Sequence, residues 1–273
     1  FILKSIDKLI ANFTTINLVD GSAQQKFLVD EKVLSYRKSK VTGYGSVSGV
    51  DLKKFKFNNK FRSEIRSKYN LKESSKVILY LGRIDVDKGI IDLLEAFENY
   101  ILPIHKDSYL FIIGYPEDHA LISHLLSSKE ILGSHLQISG PTLNPEKYLS
   151  FADVFCLPSY REGLNVTLLE AAACELSSVC SDIYGTNDAL IDEISGLKFQ
   201  PKDIKELANQ IIRIIEDEKL AKRLKVNALE RVQKYFDSNI VTDLLDKFIF
   251  QDLEKKIYKK DISLWRNILQ INK

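Results

Sequence analysis

The stretch KVILYLGRIDVDKGIIDLLEAF, residues 76–97, decides how the chain is read. Its first half is a run of β-branched and aromatic residues that ends at Gly82, the pattern of a strand buried on both faces. Its second half, from Lys88 onward, spaces apolar residues as a helix does. Five more apolar runs follow: SYLFIIG (108–114), HLQISG (135–140), DVFCLPS (153–159), SSVCSD (177–182) and GLKFQ (196–200). Helical patterns separate them at 116–128, 144–152 and 165–174, and another covers 203–217. Parallel strands need a crossover long enough to hold a helix, so the alternation predicts a doubly wound α/β domain with a parallel, Rossmann-like sheet. Ligands of such sheets bind at the carboxyl ends of the strands.

Residues 1–52 differ. They hold two helix patterns and two short strand patterns, too few strands for a stable sheet, and read as the end of an amino-terminal α/β domain that is incomplete here. No Met occurs anywhere, including position 1, which points the same way. The expected division is therefore 1–52, a main domain over 53–250 that opens on a linker and surface helix at 54–76, and a helical tail over 251–273.

Composition excludes several classes. Lys and Arg number 39 against 37 acids, a net charge of +2, so no overall field favours nucleic acid. Cys156, Cys174 and Cys180 form no C-x-x-C pair and read as core thiols. The four histidines make no metal-binding motif. No run approaches the roughly 20 apolar residues of a membrane span, and no secretory signal opens the chain, so a cytoplasmic location is expected. The tail mixes lysines with Tyr258, Leu264, Trp265 and Ile268. It reads first as packing on its own protein and second as a peripheral contact with the inner face of an anionic membrane.

Two constellations carry chemistry. Arg83 and Lys88 fall in the loop and first helical turn after the first main strand, a good setting for a diphosphate; pairing of Arg83 with Asp85 or Asp87 is the structural alternative. Asp85-Val86-Asp87 has the form of a metal-binding D-x-D, yet Asp87 at a helix start reads as a cap beside a repelling lysine, and no metal is expected. In SYREGLNVTLLEAAAC (159–174) two acids, Glu162 and Glu170, interrupt an apolar region. On one ideal helix they would stand about 12 Å apart, the span of a nucleotide sugar from ribose to hexose. Gly163 allows close approach, and the amides of Leu164, Asn165 and Val166 open a helix. A solvated Glu162 and a salt-bridged Glu170 are the bland alternative. GYGSVSG (43–49) lacks the helix and following acid of a dinucleotide fingerprint and reads as a crossover loop.

Taken in order, SVSGVDLKKF, LGRIDVDKGIIDLLEAF, ISGPTLNPEKYLSFADVFCLPS, REGLNVTLLEAAAC, IYGTNDALI and GLKFQPKDIKELANQI resemble the donor-binding half of retaining GT-B glycosyltransferases, in the large family that builds capsules, O-antigens and lipid-linked oligosaccharides. The resemblance implies a UDP- or GDP-linked sugar as donor, a polysaccharide or lipid-linked oligosaccharide as acceptor, and no cofactor. It implies that Arg83 and Lys88 bind the diphosphate, that Glu162 contacts the hexose, and that Glu170 holds the ribose. Pro141, Thr142 and Leu143 would border the base, and Gly163, Leu164, Asn165, Val166 and Thr167 would approach sugar and phosphates. Where the family usually has a small residue, often Gly, and then Pro, this chain has Glu175 and Ser177. Two other readings keep the donor motifs: a non-catalytic sugar-nucleotide-binding subunit or truncated remnant, and an isomerase or epimerase acting on such a sugar.

Overall fold

The structure is a computed structural model that describes residues 2–46, 48–116 and 118–253. The amino-terminal segment contains α1 (Ile2–Phe13), β1 (Asn17–Leu18), α2 (Ser22–Asp30) and β2 (Ser39–Lys40). Its two strands pair in parallel, Asn17 with Ser39 and Leu18 with Lys40. Leu3, Leu9, Ile10 and Phe13 of α1 are exposed.

The main body continues with α3 (Asn59–Lys68), β3 (Lys76–Leu81), α4 (Ile90–Ala96), β4 (Ser108–Ile113), α5 (His119–Leu132), β5 (Leu136–Ser139), α6 (Pro145–Phe151) and β6 (Val154–Leu157). It closes with α7 (Val166–Ala173), β7 (Ser177–Ser181), α8 (Tyr184–Asn187), β8 (Leu197–Phe199), α9 (Ile204–Glu216), α10 (Glu218–Tyr235) and α11 (Ser238–Asp246). All six expected strands are present and parallel, in the order β5-β4-β3-β6-β7-β8. The chain steps outward from β3 to β5, then returns to lay β6 against β3, so the direction of winding reverses between those two strands. Right-handed crossovers then put α4 and α5 on one face and α6 and α7 on the other. α9 packs on α4, α3 on α6 and α10 on α7.

Burial on both faces explains why the strands are continuously apolar: Val77, Ile78, Leu79 and Tyr80 of β3 and all of β6 are inaccessible to solvent or nearly so. Cys156, Cys174 and Cys180 are buried free thiols, as their apolar surroundings suggest. The surface helix expected within 54–76 is α3, capped by Asn58, whose side chain accepts from the amides of Lys60 and Phe61.

Two local expectations need correcting. The pattern from Lys88 to Ile101 is not one helix: a 3-10 turn (Val86–Lys88) precedes α4, and a π turn (Phe97–Ile101) follows it. Lys88 therefore lies before the helix, separated from it by Gly89. Asp85, not Asp87, is the cap, accepting from the Val86 amide at 2.6 Å. The atypical Glu175 follows α7 at φ 56°, where the Leu176 amide donates to the Ala171 carbonyl and the Glu175 amide to Ala172. These bonds make a Schellman turn, which ordinarily uses Gly. The tail expected over 251–273 lies, from residue 254 onward, outside the described residues.

Candidate functional site

The carboxyl ends of β3 and β6 lead into two loops, residues 82–89 and 158–165, which are joined across the reversal point. Tyr160 donates its amide to the Asp87 carbonyl at 2.8 Å and its hydroxyl to Asp92 at 2.9 Å. Arg161 donates to Asp87 Oδ2 at 2.7 Å, and this bond holds the Asp87 carboxyl below its usual range. Between the links sits an ion pair, Lys88 Nζ to Glu162 Oε1 at 2.9 Å, with each side chain only 11% exposed. The Ser159 hydroxyl donates to the same oxygen at 2.7 Å.

This closeness depends on glycine. Gly89 is left-handed at φ 66°, and a Cβ there would lie 2.1 Å from the Pro158 carbonyl oxygen. At Gly185, in α8, a Cβ would lie 2.2 Å from the Glu162 carbonyl oxygen. Both are far inside van der Waals contact, so the loops touch backbone to backbone.

Arg83, at the start of the same loop as Lys88, is 60% exposed, with Nη1 3.9 Å from Asp85 Oδ2. Its carbonyl accepts from the hydroxyl of Tyr80, whose own ionisation is suppressed by burial. Asp85 and Asp87 are thus engaged in a cap and an ion pair. Among the described residues no three His, Cys, Asp or Glu side chains cluster as metal ligands.

Asn165 caps α7, its side chain accepting from the Leu168 amide at 3.0 Å. The helix starts at Val166, so Glu162 stays in the loop and Glu170 alone lies on the helix. The 12 Å helical ruler does not apply. Glu170 is half-buried, and no side-chain hydrogen bond or ion pair reaches it from the described residues. Burial pushes its pKa up to about 7; Lys54 pulls it down, and Glu146 adds to the rise. Lys54 itself sits 3.8 Å from Glu146 Oε2. Gly163 is exposed, Leu164 is buried, and Asn165, Val166 and Thr167 are half-buried. Pro141, Thr142 and Leu143 follow β5 at the same edge; Leu143 is 92% exposed, and Thr142 Oγ1 accepts from the Asn144 amide at 3.1 Å.

The structure brings Lys88 and Glu162 into contact, which the sequence did not suggest. Sequence reading also missed Ser159, the Tyr160–Asp92 bond and Asp188, which accepts from the Ala23 amide of α2 at 2.8 Å. Only their position beside motif residues could have marked them.

A cavity of about 560 Å³ lies elsewhere, at the amino edge of the sheet, lined by Arg62, Lys76, Asp153, Glu175, Ser177 and Lys225 among others. Volume alone is a poor guide here, because open α/β sheets bind ligands at the opposite edge.

The fold is that of GT-B glycosyltransferases. Residues 61–231 match the model of the glycosyl transferases group 1 family, and the chain belongs to that family. It is 27% identical over 248 residues to a capsular polysaccharide biosynthesis glycosyltransferase, CapM, of Staphylococcus aureus, covering 90% of this chain and 64% of that one. It is 30% identical over 245 residues to the N,N'-diacetylbacillosaminyl-diphospho-undecaprenol alpha-1,3-N-acetylgalactosaminyltransferase of Campylobacter jejuni, covering 88% and 61%. The chain thus spans less than two thirds of the length of these relatives. The fold matches Anabaena HepE, solved in complex with UDP-glucose, with a TM-score of 0.79 and 17% identity, over 90% of this chain and 67% of that one.

Proposed function

We propose that the chain carries the donor-binding half of a retaining, metal-independent hexosyltransferase. It moves a hexose from a UDP- or GDP-linked sugar to a polysaccharide or lipid-linked oligosaccharide acceptor, in the cytoplasm. The observation that carries this reading is the Lys88–Glu162 pair, opposite charges at the ends of the two central strands, with Arg83 at the start of the same loop as Lys88. Residues 53–250 form the nucleotide-sugar domain in this account. Residues 1–52 are the end of an acceptor-side domain, supported by the short β1–β2 pair and the exposed apolar residues of α1.

Each group has a task set by its chemistry. A diphosphate carries more negative charge than one carboxylate, so it draws Lys88 from Glu162 and meets Arg83 as well. Those fixed cations stabilise the charge that develops on the departing nucleotide. Glu162, released but still bonded to Ser159, accepts from hexose hydroxyls. Glu170 accepts from the ribose hydroxyls, and its lack of a partner among the described residues suits that task. The backbone of Pro141, Thr142 and Leu143 borders the base. The loop from Gly163 through Thr167 receives sugar and phosphate oxygens on amides that have no intrahelical acceptor. The acceptor hydroxyl attacks from the face the diphosphate leaves.

Calorimetry with UDP, GDP and ADP, followed by nucleotide release from the matching sugar nucleotide in the presence of acceptor, tests the reading. One nucleotide should bind, and release should follow. Lys88→Ala and Arg83→Ala should each slow release by more than about a hundredfold. Parental rates in both would remove the diphosphate assignment, and binding without release would identify a non-catalytic subunit.

A further inference from the structure

The amino-terminal segment reaches the donor site through α2. α2 is fixed there by α8 and the residue after it: the Ala23 amide donates to Asp188 at 2.8 Å, and the Phe27 ring stacks on Tyr184 with centroids 4.3 Å apart and planes 7° apart. α8 is itself pressed against Glu162 and Gly163 through Gly185, whose Cβ would lie 2.4 Å from the Gly163 carbonyl oxygen. Just before α2, the Asp20 carbonyl accepts from the Ser46 amide at 2.6 Å, which fixes that residue too. A continuous line of contacts therefore sets the distance between α2 and the Glu162 loop.

Two side chains face the loop across that distance. From the place a Cβ would occupy on Gly163, Gln24 Nε2 is 3.6 Å away and Asp20 Oδ2 is 3.7 Å away. Gln24 Oε1 is buried without a hydrogen-bond partner. Among the described residues the Asp20 carboxylate has none either. A buried, unpaired carboxamide oxygen is costly, and in a fully formed interior such groups find partners. The groups here fit a particular ligand. Two carboxylates, Asp20 and Glu162, and one carboxamide offer many acceptors and few donors, which repels a phosphate and suits an uncharged ring of hydroxyls. The cations for a diphosphate, Arg83 and Lys88, belong to the other loop, and Lys88 meets this group of acceptors at Glu162.

We infer that Gln24 and Asp20 contact the transferred hexose from the amino-terminal side and set which sugar the site accepts, an inference that rests on the donor-site reading above. Gln24 and Asp20 lie in contact range of Gly163, so a sugar held by Glu162 at the rim of that contact has these two groups on its amino-terminal side. Gln24 can donate to one hydroxyl oxygen and accept from a neighbouring hydroxyl, while Asp20 accepts from a third. Sites built to bond hydroxyls reject sugars that place them wrongly, because buried polar groups are then left unpaired.

The test compares the affinity for a sugar nucleotide with that for its bare nucleotide. The probes are UDP-glucose, UDP-N-acetylglucosamine and GDP-mannose, set against UDP and GDP, for the parent, Gln24→Ala and Asp20→Asn. For the sugar nucleotide that the parent binds best, Gln24→Ala should lose about tenfold in affinity, while the bare nucleotide binds as before. Asp20→Asn, which keeps the side chain's shape, should act in the same direction. An unchanged ratio in both variants overturns the inference and leaves the donor site standing. An equal loss for nucleotide and sugar nucleotide also overturns it, since the two residues would then serve the shape of the cleft. If the parent binds none of the probes, both this inference and the donor-site reading fall.

Discussion

At the amino edge of the sheet, Arg66 is enclosed with its side chain 3% exposed and donates to the carbonyls of Lys72, Glu73, Ser75 and Phe151 and to Asp153. Arg62, one turn earlier on α3, donates to Asp153 Oδ1 at 2.9 Å and to the Phe151 carbonyl at 3.0 Å, while Asp153 Oδ2 accepts from the Val77 amide at 2.8 Å. At the carboxyl edge the buried charges are fewer and less fully partnered: Lys88 and Glu162 share one contact, and Glu170 has none from the described residues. Both edges bury charge, and the difference lies in how completely the protein itself answers it. Nearly saturated charge, with Arg66 Nε lacking a hydrogen bond among the described residues and lying 3.6 Å from Glu73 Oε2, locks α3 and β6 together, whereas charge with more spare capacity can be answered by a ligand.

Arg66→Met breaks the comparison most directly. It should destabilise the protein by about 3–5 kcal/mol, because Asp153 and several carbonyls lose a buried partner. Chemical denaturation reads this, and a loss below about 1 kcal/mol would mean that the two edges do not differ in kind.

Glu170 sharpens it from the other side. Its folded pKa of about 7 lies above the ordinary 4.5, so between those values the folded state binds more protons than the unfolded one. Stability from this group is present below about pH 4.5 and is lost as pH rises through about 7. Glu170→Gln should therefore stabilise the protein at pH 8 by about 2 kcal/mol, allowing for its partial exposure, and remove that slope from a series of melting curves. The same variant should weaken nucleotide binding, and parental nucleotide affinity should rise with pH through about 7 as the carboxylate forms. A variant no more stable than the parent at pH 8 would place Glu170 with the nearly saturated charges.

The smallest effect belongs to the amino edge. Glu175→Gly should gain about 0.5–1 kcal/mol by relieving the left-handed turn, less the entropy of a freer unfolded chain. Unchanged nucleotide affinity in that variant would confirm that this edge is structural, and altered affinity would show the edges to be coupled.

The strands were legible because burial on both faces leaves a continuous apolar run, and their alternation with helices dictates the parallel sheet. The ends of α4 were not, because Gly89 marks a contact with Pro158 that lies 69 positions away in the chain and leaves no local trace. Lys88, Glu162 and Glu170 stood out as charges in apolar surroundings. Which of them touch was invisible, since that depends on how β6 returns beside β3. Arg62 and Arg66 passed as ordinary surface residues of a polar helix, although two arginines four positions apart present their guanidinium groups on one side of it. Asp188 stood inside a family-like segment without a role to read from it, and Gln24 gave no signal, because each matters through the packing of α2 on α8.

The glycines at 89 and 185 bear on transplanting this site. Any attempt to carry the two loops onto another parallel sheet must bring both along, since even an alanine at either would wedge the backbones apart by more than an ångström and pull Lys88 away from Glu162. Gly140, where an added methyl meets nothing within 4 Å, can be exchanged for the host's own residue.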